Sequence, residues 1–169
     1  VREKGGFYLP NGPRDGPVWD TPSGKAHFFC NNLPNRQFRE GSFVLMTVRS
    51  HDQYNTTIYG MDDRYRGIYN SRRIVMMNPD DMTELNLTKG QEIDITSHWG
   101  DRKIHSERWK VIPYEIPKGN LCSYFPEANV LVPLESTAQG SNTPTSKWIE
   151  VTISTRGARI WKSSSSSFI

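Results

Sequence analysis

The chain has 169 residues, 35% hydrophobic and 23% charged, a composition that suits one folded domain and excludes disorder. Its net charge of +3 favours an anionic ligand but falls short of the dense basic face of a nucleic-acid binder. No run approaches the roughly 20 apolar residues that span a bilayer, and no signal peptide opens the chain.

Residues 1–40 are rich in Gly, Pro, Asn and charge, and a short strand at Ala26–Cys30 is the one regular element expected there. Phe43 to Arg49 is a strand by its β-branched and apolar content. A polar stretch, Ser50 to Asn70, follows, and such stretches between strands are where binding residues gather. Arg73 to Met77 is a second strand. Asn78-Pro79-Asp80-Asp81 then opens a helix that runs to about Leu85, because Asn caps, Pro suits the first position and acids suit the positive end of the dipole. Lys89-Gly90 turns the chain into Glu92 to Thr96, which alternates as a half-buried strand does. Trp99-Gly100-Asp101 is a turn, and His105 to Val111 a strand. Leu121–Phe125 and Val130–Leu134 read as short extended pieces. Lys147 to Ser154 is the last strand, with Ile149, Val151 and Ile153 on one face and Trp148, Glu150 and Thr152 on the other. About seven strands and one short helix within roughly 130 residues point to a barrel or sandwich, and a helix between two strands fits a barrel closed by crossovers.

The densest polar run, Arg49-Ser50-His51-Asp52-Gln53-Tyr54-Asn55-Thr56-Thr57, follows a strand directly. Its cation, imidazole, amides and hydroxyls suit an anionic heteroaromatic ligand, and a solvated loop held by its own Asn and Thr turns is the competing reading. Ser97-His98-Trp99-Gly100-Asp101 lies at a strand end, where His98 or Trp99 could stack on a base, and a plain β-turn with a partly buried Trp is the competing reading. Asn129, ahead of an apolar run, and Lys147, at the start of the final strand, also stand at strand ends, where ligands bind; a surface lysine is the alternative for the latter. Catalytic motifs are missing: no GxSxG, HExxH, GxxxxGK[ST] or GxGxxG occurs. Cys30 and Cys122 form no CxxC and read as free thiols of a reducing compartment. The residues alone describe a binding module more than an enzyme.

Arg49 to Gly60, then Asp62-Asp63-Arg64-Tyr65-Arg66-Gly67, Met77-Asn78-Pro79-Asp80-Asp81, Tyr124 to Pro133 and Asn142 to Lys147 together resemble a known module. It is the C-terminal molybdopterin dinucleotide-binding domain of formate-dehydrogenase-like molybdopterin oxidoreductases, nearest the branch linked to acid resistance. Asp20 to Ala26 resembles the segment leading into that domain. The resemblance implies a mainly β fold, a double-psi β-barrel with one or two short helices. It implies a lead-in from the preceding domain over 1–40 and the barrel over 41–154; the last fifteen residues fall outside it, and five serines in a row mark 155–169 as a flexible tail by composition. It also implies bis(molybdopterin guanine dinucleotide) with molybdenum or tungsten, and an iron–sulfur cluster only in an N-terminal part outside this chain. Carried over by position, Arg49, Ser50, His51, Gln53, Asn55, Thr56 and Thr57 fall in the loop lining the dinucleotide, Ser97 and His98 in a second, Asn129 in a third and Lys147 in a fourth. No catalytic residue and no metal ligand is expected in the chain, which is expected to be inactive alone. Its partners would be the remaining domains of a cytoplasmic polypeptide, since Val1 is not an initiator Met; the substrate is not legible. Two positions depart from the family. Asn86 stands where relatives usually have glycine in the helix after Asn-Pro, and Leu131-Val132 replaces a common Leu-Thr. The alternative is a stand-alone β-barrel for nucleotides or single-stranded nucleic acid, for which Arg64 to Arg73 offers rings and cations.

Overall fold

The computed structural model describes residues 3–32, 37–53 and 60–155. The chain divides into two units, Val1–Arg36 and Gln37–Ile169. In the first, α1 (Gly12–Asp15) is a single turn capped by the Asn11 side chain, with Pro13 in its first turn. The strand expected at Ala26–Cys30 does not form; those residues are irregular and exposed, and no segment among the described residues pairs with them. A lone extended piece has no ladder to satisfy its backbone.

In the second unit the described residues hold six strands: β1 (Phe43–Val48), β2 (Ile74–Met77), β3 (Glu92–Trp99), β4 (Arg102–Pro113), β5 (Asn120–Tyr124) and β6 (Ile149–Thr155). They close into a barrel in the order β1-β5-β2-β4-β3-β6. β1 runs parallel to β5, and β2 parallel to β4; every other neighbouring pair is antiparallel. The pairing is unchanged when β1, β2 and β3 are exchanged with β4, β5 and β6. Two interlocked halves of this kind make a double-psi β-barrel, the fold the resemblance implied.

The inward positions follow strand alternation: Leu45, Ile93, Ile95, Val111, Leu121, Ile149 and Val151 fill the interior around Trp109. β2 is buried on both faces. Val75 and Met77 join that interior, while Ile74 and Met76 pack outside it with Ile68, Cys122 and Tyr124. Its unbroken Ile-Val-Met-Met run is the signature of such a strand.

α2 (Pro79–Glu84) begins as its caps require. The Asn78 side-chain oxygen accepts the Asp80 N–H at 2.8 Å, and its amide donates to the Ile116 carbonyl at 2.6 Å. Asn78→Ala is expected to cost about 1–2 kcal/mol, read from the urea midpoint of the chain, with an unchanged slope. Asn86 lies past the helix end, not within it, at φ 54°. That is the left-handed position where glycine is favoured and asparagine is next best, which accounts for the departure from glycine. Val130–Leu134, expected as extended, begins inside a 3-10 turn, Glu127–Leu131, that buries Ala128 and Leu131. The tail 156–169 lies outside the described residues.

Candidate functional site

Strand directions decide which loops meet. With β1, β3 and β5 pointing one way and β2, β4 and β6 the other, one end of the barrel collects five segments. These are the residues after β1, those before β2, the β3–β4 hairpin, the 3-10 turn after β5 and the approach to β6. Every sequence-predicted position among the described residues is therefore at this end. Asn55, Thr56 and Thr57 lie outside the described residues.

Arg49 is exposed, and its carbonyl accepts from the Arg66 guanidinium at 3.3 Å. The His51 ring stacks on Tyr65 with centroids 3.5 Å apart, and Arg64 lies over the other ring partner at 5.0 Å from the Tyr65 centroid. Ser50 and Gln53 are buried and turned into the protein, where both meet Arg72. They were expected to face a ligand; their side-chain oxygens are instead engaged by this guanidinium.

Arg72 was missed by sequence reasoning. Its side chain is 4% exposed and forms a two-point ion pair with Glu127, at 2.6 and 3.2 Å. It also lies over the Tyr124 ring at 5.0 Å. Asp63 is a second missed centre. Buried at 1% exposure, it accepts from the Tyr124 hydroxyl at 2.8 Å, the Arg66 guanidinium at 2.5 Å and the His51 backbone N–H at 3.3 Å. Burial alone would raise the Asp63 carboxyl, but Arg66 and Tyr124 outweigh it and hold it below its ordinary value. The signal was present in Tyr124-Phe125-Pro126-Glu127 and in Arg72-Arg73, which stand at the ends of apolar strands. Arg73 is also held internally, by the Glu107 carbonyl at 2.7 Å and the Ser106 hydroxyl at 2.8 Å. Three cations of the run that supported nucleic-acid binding, Arg66, Arg72 and Arg73, are thus occupied by protein groups.

Ser97 and His98 lie within β3, not at a turn; the hairpin turn is Gly100-Asp101, where Gly100 takes φ 56° in a two-residue loop. Alternation sends them to opposite faces. Ser97, paired with Val151, points into the barrel and is 1% exposed. His98 points outward, with its Nε2 2.9 Å from the Thr152 hydroxyl. Desolvation and the Arg39 cation lower its pKa and favour the neutral ring. Ser97 Oγ and His98 Nδ1 are buried without a hydrogen-bond partner among the described residues. Asn129 is exposed in the 3-10 turn. Lys147 folds back so that its ammonium donates to the Thr47 carbonyl, with the Thr47 hydroxyl 3.4 Å away. It also borders an apolar groove of about 370 Å³ on the outer face of β1 and β5, with Met46, Cys122 and Trp148.

Among the described residues no His, Cys, Asp and Glu group is arranged to hold a metal ion, and no helix is long and apolar enough to cross a membrane.

The chain is similar to several known proteins. An "Uncharacterized oxidoreductase" of Mycobacterium tuberculosis is 47% identical over 156 residues, covering 89% of this chain and 20% of that protein. Protein YdeP of Escherichia coli K12 is 39% identical over 158 residues, covering 89% of this chain and 21% of that protein. The chain thus spans about a fifth of the length of the curated relatives it matches. Among solved structures, acetylene hydratase from Pelobacter acetylenicus aligns with 86% of this chain and 25% of its own, at 15% identity and a TM-score of 0.48. The model of the "Molydopterin dinucleotide binding domain" matches residues 43–150, from the first residue of β1 into β6. A match that takes in β1 to β5, the start of β6 and the loop-bearing end places this chain in the molydopterin dinucleotide binding domain family.

Proposed function

We propose that this chain is the domain by which a larger, formate-dehydrogenase-like oxidoreductase grips a molybdopterin guanine dinucleotide. The observation that carries the reading is the strand register, which gathers the loops at 49–53, 97–99, 127–131 and 147 at one barrel end. The residues there fit such a group. Ser97 Oγ is buried and lacks a partner among the described residues, so it has hydrogen-bonding capacity that a heteroatom-rich ligand over the barrel mouth would use. Asn129 offers an exposed amide to a ring edge, and Lys147 and Arg49 offer cations to phosphates. When bound, the group supplies two-electron chemistry at molybdenum or tungsten. The chain's own residues hold and orient it: Asn129 and Lys147 fix it along the rim, and the barrel beneath provides a rigid base. The metal ligand, any iron–sulfur cluster and the substrate pocket belong to the rest of a cytoplasmic polypeptide, so this domain alone is not expected to turn over.

The test uses the full-length protein with Asn129→Ala and with Lys147→Ala, measuring molybdenum and guanine nucleotide per folded molecule. A hydrogen bond to a charged group is worth about 1.5–3 kcal/mol, so cofactor loss is expected to quicken about tenfold or more. The Lys147 effect should shrink at high salt, with the melting temperature within about 3 °C of the parent. Normal cofactor content beside a sharply lowered melting temperature would assign both residues a structural role and sink the site.

A further inference from the structure

We propose that Arg72 is the positioning residue for the ligand-binding end of the barrel: one buried guanidinium that ties the residues after β1 (Ser50 and Gln53) and those before β2 (Gly60) to the turn carrying Asn129. The proposal rests on the binding reading above for what that end does, and on geometry alone for what Arg72 does.

The acceptors come from three separate stretches of chain. Nη1 donates to Ser50 Oγ at 2.9 Å and to the Gly60 carbonyl at 3.2 Å, so it holds one group after β1 and one before β2. Nη2 donates to Gln53 Oε1 at 3.2 Å, to the Phe125 carbonyl at 3.3 Å and to Glu127 Oε2 at 3.2 Å. Nε donates to Glu127 Oε1 at 2.6 Å. A guanidinium has five N–H donors in a fixed plane, and all of its nitrogens are engaged here. The arrangement is satisfied by the fork and not by a point charge. Lysine has three donors on one atom and cannot reach acceptors spread around a plane.

This geometry changes the role of Ser50 and Gln53. Their oxygens are spent on Arg72, so they act on a ligand through the loop they anchor rather than by touching it. Glu127 completes the link. It neutralises the buried cation and, two residues before Asn129 in the same 3-10 turn, makes the loop after β1 and the turn after β5 parts of one rigid assembly. The Tyr124 ring beneath the guanidinium fixes its plane.

The experiment compares Arg72→Lys, Arg72→Met with Glu127→Gln, and Ser50→Ala with Gln53→Ala in the full-length protein. The paired Met and Gln change removes both charges, so it leaves no unpaired ion to unfold the domain. Hydrogen exchange is read at residues 49–53 and 60–63 and, as an internal reference, in β2 and β4; cofactor release is followed separately. Exchange at both stretches should rise about tenfold in all three proteins while β2 and β4 stay protected, and cofactor should leave correspondingly faster. Exchange there unchanged in the Met–Gln protein overturns the proposal, and so does full rescue by lysine, which would make charge sufficient. Faster exchange there with unchanged cofactor release would keep Arg72 as the anchor of that end and overturn the binding reading instead.

Discussion

Trp109→Ala is expected to cost about 4 kcal/mol, a large share of the roughly 5–15 kcal/mol that holds a domain together. The indole is fully buried in the barrel interior and pairs in register with Ile93. Its N–H donates to Ser106 Oγ at 3.1 Å, and the Arg73 guanidinium lies 4.9 Å from the ring. Its place depends on a bulge. Ile93 faces Trp109 and Ile95 faces Ser106, so β4 holds one residue more than β3 there, and Arg108 absorbs it at φ 62°. Without that extra residue, alternation would put Ser106 and Trp109 on opposite faces of the strand. The bulge is what lets Ser106 hold the indole from the same side. Truncation would leave a cavity in the closed barrel and take one of the two donors from the Ser106 hydroxyl, which keeps Arg73. Urea unfolding followed by circular dichroism measures the loss, with Trp109→Phe expected to recover about half. A loss below about 1.5 kcal/mol for alanine would show that the barrel collapses around the gap.

Asp63→Asn should cost about 3 kcal/mol, since it leaves Arg66 without its partner and weakens the Tyr124 bond from charged to neutral. The sign of its pH dependence is fixed by the direction of the shift. Asp63 is held below its ordinary 3.8 in the fold, so its contribution is complete above that pH and fades as pH falls through the folded value. Tyr124 is shifted the other way, upward, first by burial and then by its bond to Asp63. Its neutral form is favoured, and its contribution is complete below the ordinary 10.0 and fades above it. The stability difference between parent and variant should therefore be level from about pH 5 to pH 9 and shrink on acidification below about pH 4. A gap that stays constant to about pH 2 would remove Asp63 as its source.

The features that were legible in the sequence share a local cause. β1, β2 and the start of α2 follow from side-chain branching, burial and capping within a few residues, and these survive in any tertiary setting. The misreadings also have local causes. Val130-Leu131-Val132 is an apolar run too short to tell an extended piece from a turn that buries one residue in three. Ser97 and His98 were read as a strand end because polar residues follow Thr96; β3 instead runs on to Trp99, since Gly100 turns the chain only after it. What no local pattern could show is the pairing of Arg72 with Glu127 or of Asp63 with Tyr124. In each case a charge that reads as solvated finds its partner dozens of residues away, after the barrel has closed.

The exchange of halves has one more consequence. A ring of strands that maps onto itself when turned end over end has no intrinsic top, and its polarity comes entirely from unequal connections. The link between β1 and β2, residues 49–73, corresponds to the link between β4 and β5, residues 114–119, at the opposite end. The first has been elaborated and carries Asp63, Arg66 and Arg72; the second remains a tight turn. The strand framework therefore offers a second, equivalent mouth, which the β2–β3 connection covers: Met82 and Leu87 reach the barrel interior, and Asn78 and Asp81 hold the Ile116 carbonyl and the Gly119 N–H. Lengthening residues 114–119 would break those ties to α2, so this end can be rebuilt only together with the helix, while the end that carries the ligand loops is left alone.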